Sequence, residues 1–62
     1  MRESTSQNIR LTIYRLRHEA RCAYAVADRT GDPAYVADAQ RLMDRADDLA
    51  RTAGITRAME IA

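Results

Sequence analysis

The stretch Thr30-Gly31-Asp32-Pro33, TGDP in one-letter code, lies near the middle of this 62-residue chain and predicts the point where one helix ends and another begins. Gly31 lacks a Cβ atom, so it readily adopts the left-handed conformation that commonly ends a helix. Asp32 is a favoured N-cap residue because its carboxylate accepts hydrogen bonds from the first amides of a helix. Pro33 suits the first helical position, where its missing N–H costs nothing. These residues predict a very short turn between two helices.

Apolar residues on both sides of the turn recur at alternating spacings of four and three, the pattern of a helix packed lengthwise on another helix. The first set, here called the first seam, comprises Ile9, Ile13, Leu16, Ala20, Ala23 and Ala27. The second seam comprises Tyr35, Ala39, Leu42, Ala46, Leu49 and Ala53. Because alanine recurs in both seams, the two backbones can approach closely. The sequence therefore predicts an all-α fold, an antiparallel helical hairpin in which the seams face each other.

The ends of the helices follow from their capping signals. Ser4 and Ser6 are candidate N-caps of the first helix, and Gly54 followed by Ile55 is typical of a C-cap. We expect helices over about residues 6–30 and 33–53 and a short helical tail over 56–62, all within a single domain, 1–62, in which residues 1–5 fray.

The size of the chain limits the stability that it can reach alone. A chain of this length buries only about 60% of the surface that its unfolded form exposes. Cys22 is its single cysteine, so no disulfide forms within the chain. The longest uncharged apolar run, Cys22 to Ala27, is too short for a signal peptide or a membrane span. We expect a cytoplasmic protein, and the use of arginine for all ten basic residues indicates a GC-rich bacterial genome.

The net charge of +1 hides an asymmetry between the two halves of the chain. Residues 1–31 carry six arginines and three acidic residues, a charge of +3, whereas residues 32–62 carry four arginines and six acidic residues, a charge of −2. Opposite charge favours docking of the basic helix on the acidic one, within a chain or between chains. The basic helix also offers a face that suits phosphate.

Apolar residues beyond the seams indicate that the hairpin associates with a second copy or with a partner. The predicted dimer or partner interface comprises Leu11, Tyr24, Val26, Val36 and Met43, together with Ala46 and Leu49 of the second seam. Scattered exposed apolar residues are also ordinary on monomeric proteins, which is the alternative. Two hairpins that form an antiparallel four-helix bundle, a homodimer, are the simplest closed assembly.

Catalytic chemistry has few candidate residues in this sequence. His18 is the one histidine, and Asp44, Asp47 and Asp48 alternate with arginines at spacings typical of a solvated salt-bridge face. The sequence has neither a glycine-rich phosphate loop nor a nucleophile motif. We expect a protein that is not an enzyme, with no cofactor and no small-molecule substrate.

A metal site would need more ligands than one helix face supplies. His18 and Cys22 are four residues apart and share a face, so they would supply two ligands of a tetrahedral site. The other two would have to come from a second chain. We therefore expect no metal.

One side of the first helix interleaves arginine with aromatic rings, at Arg10, Tyr14, Arg17, His18 and Arg21. Guanidinium groups bind phosphate in a forked geometry, and a tyrosine ring stacks on unpaired bases, so this set predicts a nucleic-acid-binding face. The alternative is that these arginines are solvated and pair with the acidic second helix of a neighbouring chain, because a pI of about 8.0 is low for a nucleic-acid binder. The segment LARTAGIT, residues 49–56, also resembles the turn of a DNA-binding helix-turn-helix.

The segment LMDRADDLAR, residues 42–51, resembles the second helix of the Rop family, small plasmid-encoded RNA-binding helical hairpins. The similarity covers residues 9–53 and includes the tight turn with its aspartate. It implies an antiparallel homodimer that forms a four-helix bundle. Leu11, Arg15 and Glu19 occupy the positions that bind RNA in the family and do not match it.

The sequence favours a small regulatory or adaptor protein without enzymatic activity. We expect it to self-associate as a homodimer and to bind another macromolecule, a protein or a structured RNA, through its outer helix faces. We expect no association with a membrane.

Overall fold

The computed structural model describes the backbone of residues 2–56 and of Glu60, and the side chains within those ranges from Gln7 onward. Helix α1 spans Arg2–Thr30 and helix α2 spans Pro33–Ala53. The two helices pack along each other in a hairpin whose principal extents are 43 × 19 × 16 Å. The predicted all-α helical hairpin is confirmed.

The turn between the helices has the geometry that its residues predict. Gly31 has φ +72° and donates its N–H to the carbonyl of Ala27 over 2.7 Å, which closes the end of α1. Asp32 is extended, with φ −83° and ψ 115°, and its Oδ1 accepts the N–H of Ala34 over 3.0 Å. Pro33 is the first residue of α2. Because only two residues separate the helices, the chain must reverse direction at once.

The end of α2 is also capped as predicted. Gly54 is left-handed, with φ +70°, and its N–H donates to the carbonyl of Arg51 over 3.2 Å. Ile55 donates its N–H to the carbonyl of Ala50 over 2.8 Å, and its side chain packs against the core. This pair of bonds satisfies carbonyls that a helix end otherwise leaves without partners. The predicted C-cap at Gly54 is confirmed.

The two ends of the chain depart from the predicted bounds or lie outside the described residues. Helix α1 begins at Arg2, earlier than the predicted start near residue 6. Its first turns contain neither glycine nor proline, so serine caps are not obligatory stops. Of the predicted tail over 56–62, residues 57–59, 61 and 62 lie outside the described residues. Within the described part, Glu60 donates its N–H to the carbonyl of Thr56 over 3.0 Å, the spacing of a helical turn.

The core between the helices is thin and consists largely of alanine. Its buried apolar residues are Ile13, Ala20, Ala27, Ala39, Ala46 and Ala50. Among the described residues, Ile13 is the one large side chain that is fully buried. Ile9, Leu16, Leu49 and Ile55 are partly buried against this cluster. The seams therefore face each other as predicted along most of their length.

The second seam departs from prediction at both of its ends. Tyr35, beside the turn, remains 39% exposed, and Ala53 is also exposed. Ala50 is buried instead and completes the core next to Ala46. The physical reason is that an α-helix has 3.6 residues per turn, so a strict repeat of seven drifts around the helix surface. The contact moves to a neighbouring position by the last turn of α2.

Candidate functional site

A groove of about 320 Å³ lies between the basic side of α1, the edge of α2 and Glu60. Its lining combines arginine, apolar side chains and one carboxylate: Arg10, Ile13, Tyr14, Arg17, Arg21, Met43 and Glu60. Four of the five predicted nucleic-acid-binding residues therefore meet in one groove. They do so because spacings of four, seven and eleven residues return to the same side of an α-helix.

Arg17 forms the floor of the groove and is not free to bind phosphate. Arg17 is 8% exposed, and its Nε and Nη2 atoms donate hydrogen bonds to the two carboxylate oxygens of Glu60. The bond from Nη2 to Oε2 is 3.0 Å long. Nη2 also lies 2.9 Å from Oδ1 of Asp47 on α2. The prediction that Arg17 presents its charge to nucleic acid is corrected here, because two carboxylates of the same chain already occupy its guanidinium group.

The electrostatics of Arg17 follow from these partners. The hydrogen bonds that Arg17 donates to Glu60 and to Asp47 raise the pKa of Arg17 above its ordinary value, and burial opposes the rise. The guanidinium group is therefore charged at every physiological pH. Because Glu60 is also nearly buried, with a side chain 9% exposed, the pair is shielded from water and salt. This clasp joins α1, α2 and the C-terminal segment.

Sequence reasoning missed the role of Glu60 and assigned Asp47 to a solvated face. A signal for Arg17 was present, because it follows Ile13 by four residues and precedes Ala20 by three, which places it beside the first seam. No periodic signal identifies Glu60, since 43 residues separate it from Arg17. Arg17 does pair with the acidic helix, at Asp47, but with that of its own chain, whereas the alternative expected the helix of a neighbouring chain.

The cationic side chains on the upper walls of the groove remain accessible to a ligand. Arg10 and Arg21 are exposed, and neither makes a hydrogen bond or an ion pair with the rest of the described chain. Tyr14 is 60% exposed, and its ring lies parallel to that of His18, at 7° and a centroid distance of 6.3 Å. Two cationic side chains and an aromatic surface thus border the groove opening.

His18 and Cys22 meet on the outer surface of α1. The Sγ atom of Cys22 lies 3.7 Å from Nε2 of His18, and both residues are exposed. Among the described side chains, from Gln7 to Thr56 and at Glu60, no acidic side chain joins the pair as a third metal ligand. The pair alone is an incomplete ligand set for zinc.

The outer face of α2 carries the predicted salt bridges in part. Arg51 lies 3.9 Å from Asp48, and Arg41 lies 3.5 Å from Asp38, each three residues apart and well exposed. Such pairs contribute a few tenths of a kcal/mol. Asp47 departs from this face because it pairs with Arg17 instead.

The residues predicted to form a dimer or partner interface divide into three groups. Leu11, Tyr24 and Val36 are exposed by 46%, 40% and 36%, so they are available to a partner. Val26 and Met43 are half-buried. Two others belong to the hairpin itself: Ala46 is fully buried, and Leu49 packs partly buried against the same core. Ala46 therefore offers no surface to a second molecule, because α1 already covers it.

Comparison with known proteins gives no relative. No protein-family model matches the chain, and neither a curated protein nor a solved structure resembles it at a significant level. The resemblance to the Rop family stays a prediction. In the part of the chain that the structure describes, neither helix combines the length and the apolar character that crossing a membrane requires.

Proposed function

We propose that this chain is a small regulatory or adaptor protein without enzymatic activity, which acts in the cytoplasm as a homodimer of helical hairpins. The dimer binds another macromolecule through the faces that remain outside. The observation that carries this proposal is the large surface that the hairpin leaves exposed.

The accessible surface of the chain is 4932 Å² for a mass of 7.0 kDa. A compact monomer of that mass exposes about 4,000 Å². The excess of about 900 Å² is close to the roughly 800 Å² that each partner buries in a standard protein interface. The surplus surface is thus of the size that one further hairpin would cover.

The chemistry of the exposed surface supports the same proposal. Its large apolar side chains are Leu11, Tyr14, Tyr24, Tyr35 and Val36, each at least 36% exposed. Few side chains of comparable size are buried in the core, so the hairpin alone leaves much of its apolar surface in water. Docking of the basic α1 on the acidic α2 of a second copy would bury most of this surface, apart from Tyr14 at the groove, with complementary charge.

Light scattering after gel filtration tests the proposal with a matched pair of variants. Val36→Asp places a carboxylate in the exposed apolar surface, and we expect it to shift the chain from dimer to monomer at micromolar concentration. Gln40→Asp introduces the same charge at an exposed polar position of α2 and should leave the dimer intact. Equal masses for both variants would show that Val36 lies outside the dimer interface.

A second candidate function is binding of structured RNA through the upper walls of the groove. The free guanidinium groups of Arg10 and Arg21 and the exposed ring of Tyr14 favour it. Replacement of Arg10 and Arg21 by glutamine should weaken RNA retention and reduce its salt dependence. Arg15→Gln, an exposed arginine outside the groove, is the control. Equal loss in the control would indicate nonspecific attraction to a basic helix.

A further inference from the structure

The clasp between Arg17 and Glu60 has the geometry of a bound ligand. The two oxygens of one carboxylate accept from Nε and Nη2 of one guanidinium group, the forked arrangement by which arginine recognises carboxylates and phosphates. Glu60 lies in the C-terminal segment, beyond the cap of α2, so this carboxylate reaches the groove from outside the two-helix core. Its carboxylate therefore occupies the position that an external oxyanion would take.

Among the described residues, the charged groups of the groove do not balance when Glu60 is left out. Arg10, Arg17 and Arg21 line it, and Asp47 is the remaining carboxylate on Arg17. Without Glu60 the formal charge of these groups is +2, and with Glu60 it is +1. A single carboxylate thus leaves the groove positive, whereas a dianion neutralises it.

We propose that this groove is a binding site for a phosphate monoester dianion and that Glu60 is its internal competitor. The ligand phosphate replaces the Glu60 carboxylate on Arg17 and is further bound by Arg10 and Arg21. A phosphate monoester carries a charge of about −1.5 to −2 at pH 7 and has three acceptor oxygens, which matches the number of guanidinium groups. The site depends neither on self-association nor on RNA binding.

The other walls indicate what the phosphate is attached to. Ile13 and Met43 line the groove beside the arginines, and the exposed ring of Tyr14 borders it. At about 320 Å³ the groove is at the small end of the range for organic ligands. We therefore assign the ligand as a phosphate monoester with a flat apolar body, for which phenyl phosphate is the probe.

The test is a nuclear magnetic resonance titration of the full chain with phenyl phosphate and with inorganic phosphate. Glu60→Gln keeps the size of the side chain and one acceptor oxygen but removes the competing charge. We expect phenyl phosphate to bind this variant at least about 10-fold more tightly than the wild type, with shifts at the Nε–H of Arg17. Asp44→Asn makes the same change in net charge on exposed α2, outside the groove, and should change the affinity less than about 3-fold.

Two further arms separate the sources of phosphate and protect the test against loss of fold. Inorganic phosphate should bind Glu60→Gln more weakly than phenyl phosphate, because it has no body to contact Tyr14. If circular dichroism shows that Glu60→Gln is unfolded, Arg21→Gln in the wild-type chain provides the test. Because Arg21 is exposed, its substitution should leave the fold intact and weaken phenyl phosphate binding at least about 5-fold.

Three results would overturn the proposal. The first is equal affinity of Glu60→Gln and Asp44→Asn, which would reduce the effect to net charge. The second is unchanged binding in Arg21→Gln. The third is retention of a structured RNA by Glu60→Gln under conditions where phenyl phosphate does not bind, which would assign the groove to nucleic acid.

Discussion

Replacement of Ala46 by leucine tests the alanine core of the hairpin. Ala46 is fully buried between Ile13 and Ala50, so an isobutyl group in place of its methyl must displace α1 or force unfavourable rotamers. Overpacking of a close-packed core costs about 1–3 kcal/mol. In a domain of this size, each kcal/mol lowers Tm by about 4–8 °C, so we expect a decrease between about 4 and 24 °C.

The matched control is Ala37→Leu. Ala37 is exposed and lies on the opposite side of α2 from Ala46, at 3.6 residues per turn. Both alanines are in α2, and alanine and leucine have similar helix propensities. The control therefore measures the effect of replacing alanine by leucine in this helix without a change in core packing. We expect Ala37→Leu to change Tm by no more than about 3 °C, the effect of a surface substitution.

The assay is thermal unfolding followed by circular dichroism at one protein concentration for all samples, because self-association makes Tm depend on concentration. Equal Tm values for Ala46→Leu and Ala37→Leu would contradict the burial of Ala46 in the core. That result would mean that Ala46 faces water or that the helices separate easily, and the seams would not define the hairpin.

Three further predictions concern the clasp and the helix caps, each measured by urea unfolding. Arg17→Gln removes the guanidinium group that binds the nearly buried carboxylate of Glu60, so we expect a loss of about 3 kcal/mol against less than about 0.5 kcal/mol for the exposed Arg15→Gln; similar losses would show that the clasp is not stabilising. Asp32→Ala removes the acceptor for the first amides of α2 and should cost about 1 kcal/mol, and an unchanged midpoint would contradict its role as the cap. Gly54→Ala should cost about 1 kcal/mol purely through its left-handed backbone, since a Cβ there meets nothing within 4 Å, and a stabilised variant would contradict this.

Local signals account for the parts of the fold that the sequence predicts well. The turn at Gly31 and Asp32 and the cap at Gly54 depend on the conformational preferences of single residues, so they are readable without tertiary information. The seams are readable because burial along a helix repeats with a fixed period. The exchange of Ala53 for Ala50 at the end of the second seam shows the limit of that rule, because the drift of the contact depends on how the helices cross.

The candidate site was only half predictable. Arg10, Tyr14 and Arg21 follow from spacing on one helix, and the structure brings them together in the groove. The state of Arg17 depends on Glu60, which is distant in sequence and outside any repeat. A charge on a helix face reads the same in sequence whether it is solvated or clasped, so only the packed chain shows which arginines remain available.

We propose that two hairpins form the working molecule, and the mass of the wild-type chain in solution is the direct test. Sedimentation equilibrium over a series of micromolar concentrations should give a mass near twice 7.0 kDa, decreasing toward a single chain only on strong dilution. A mass of one chain throughout the series would contradict the proposed homodimer, because no second hairpin would then cover the exposed apolar surface.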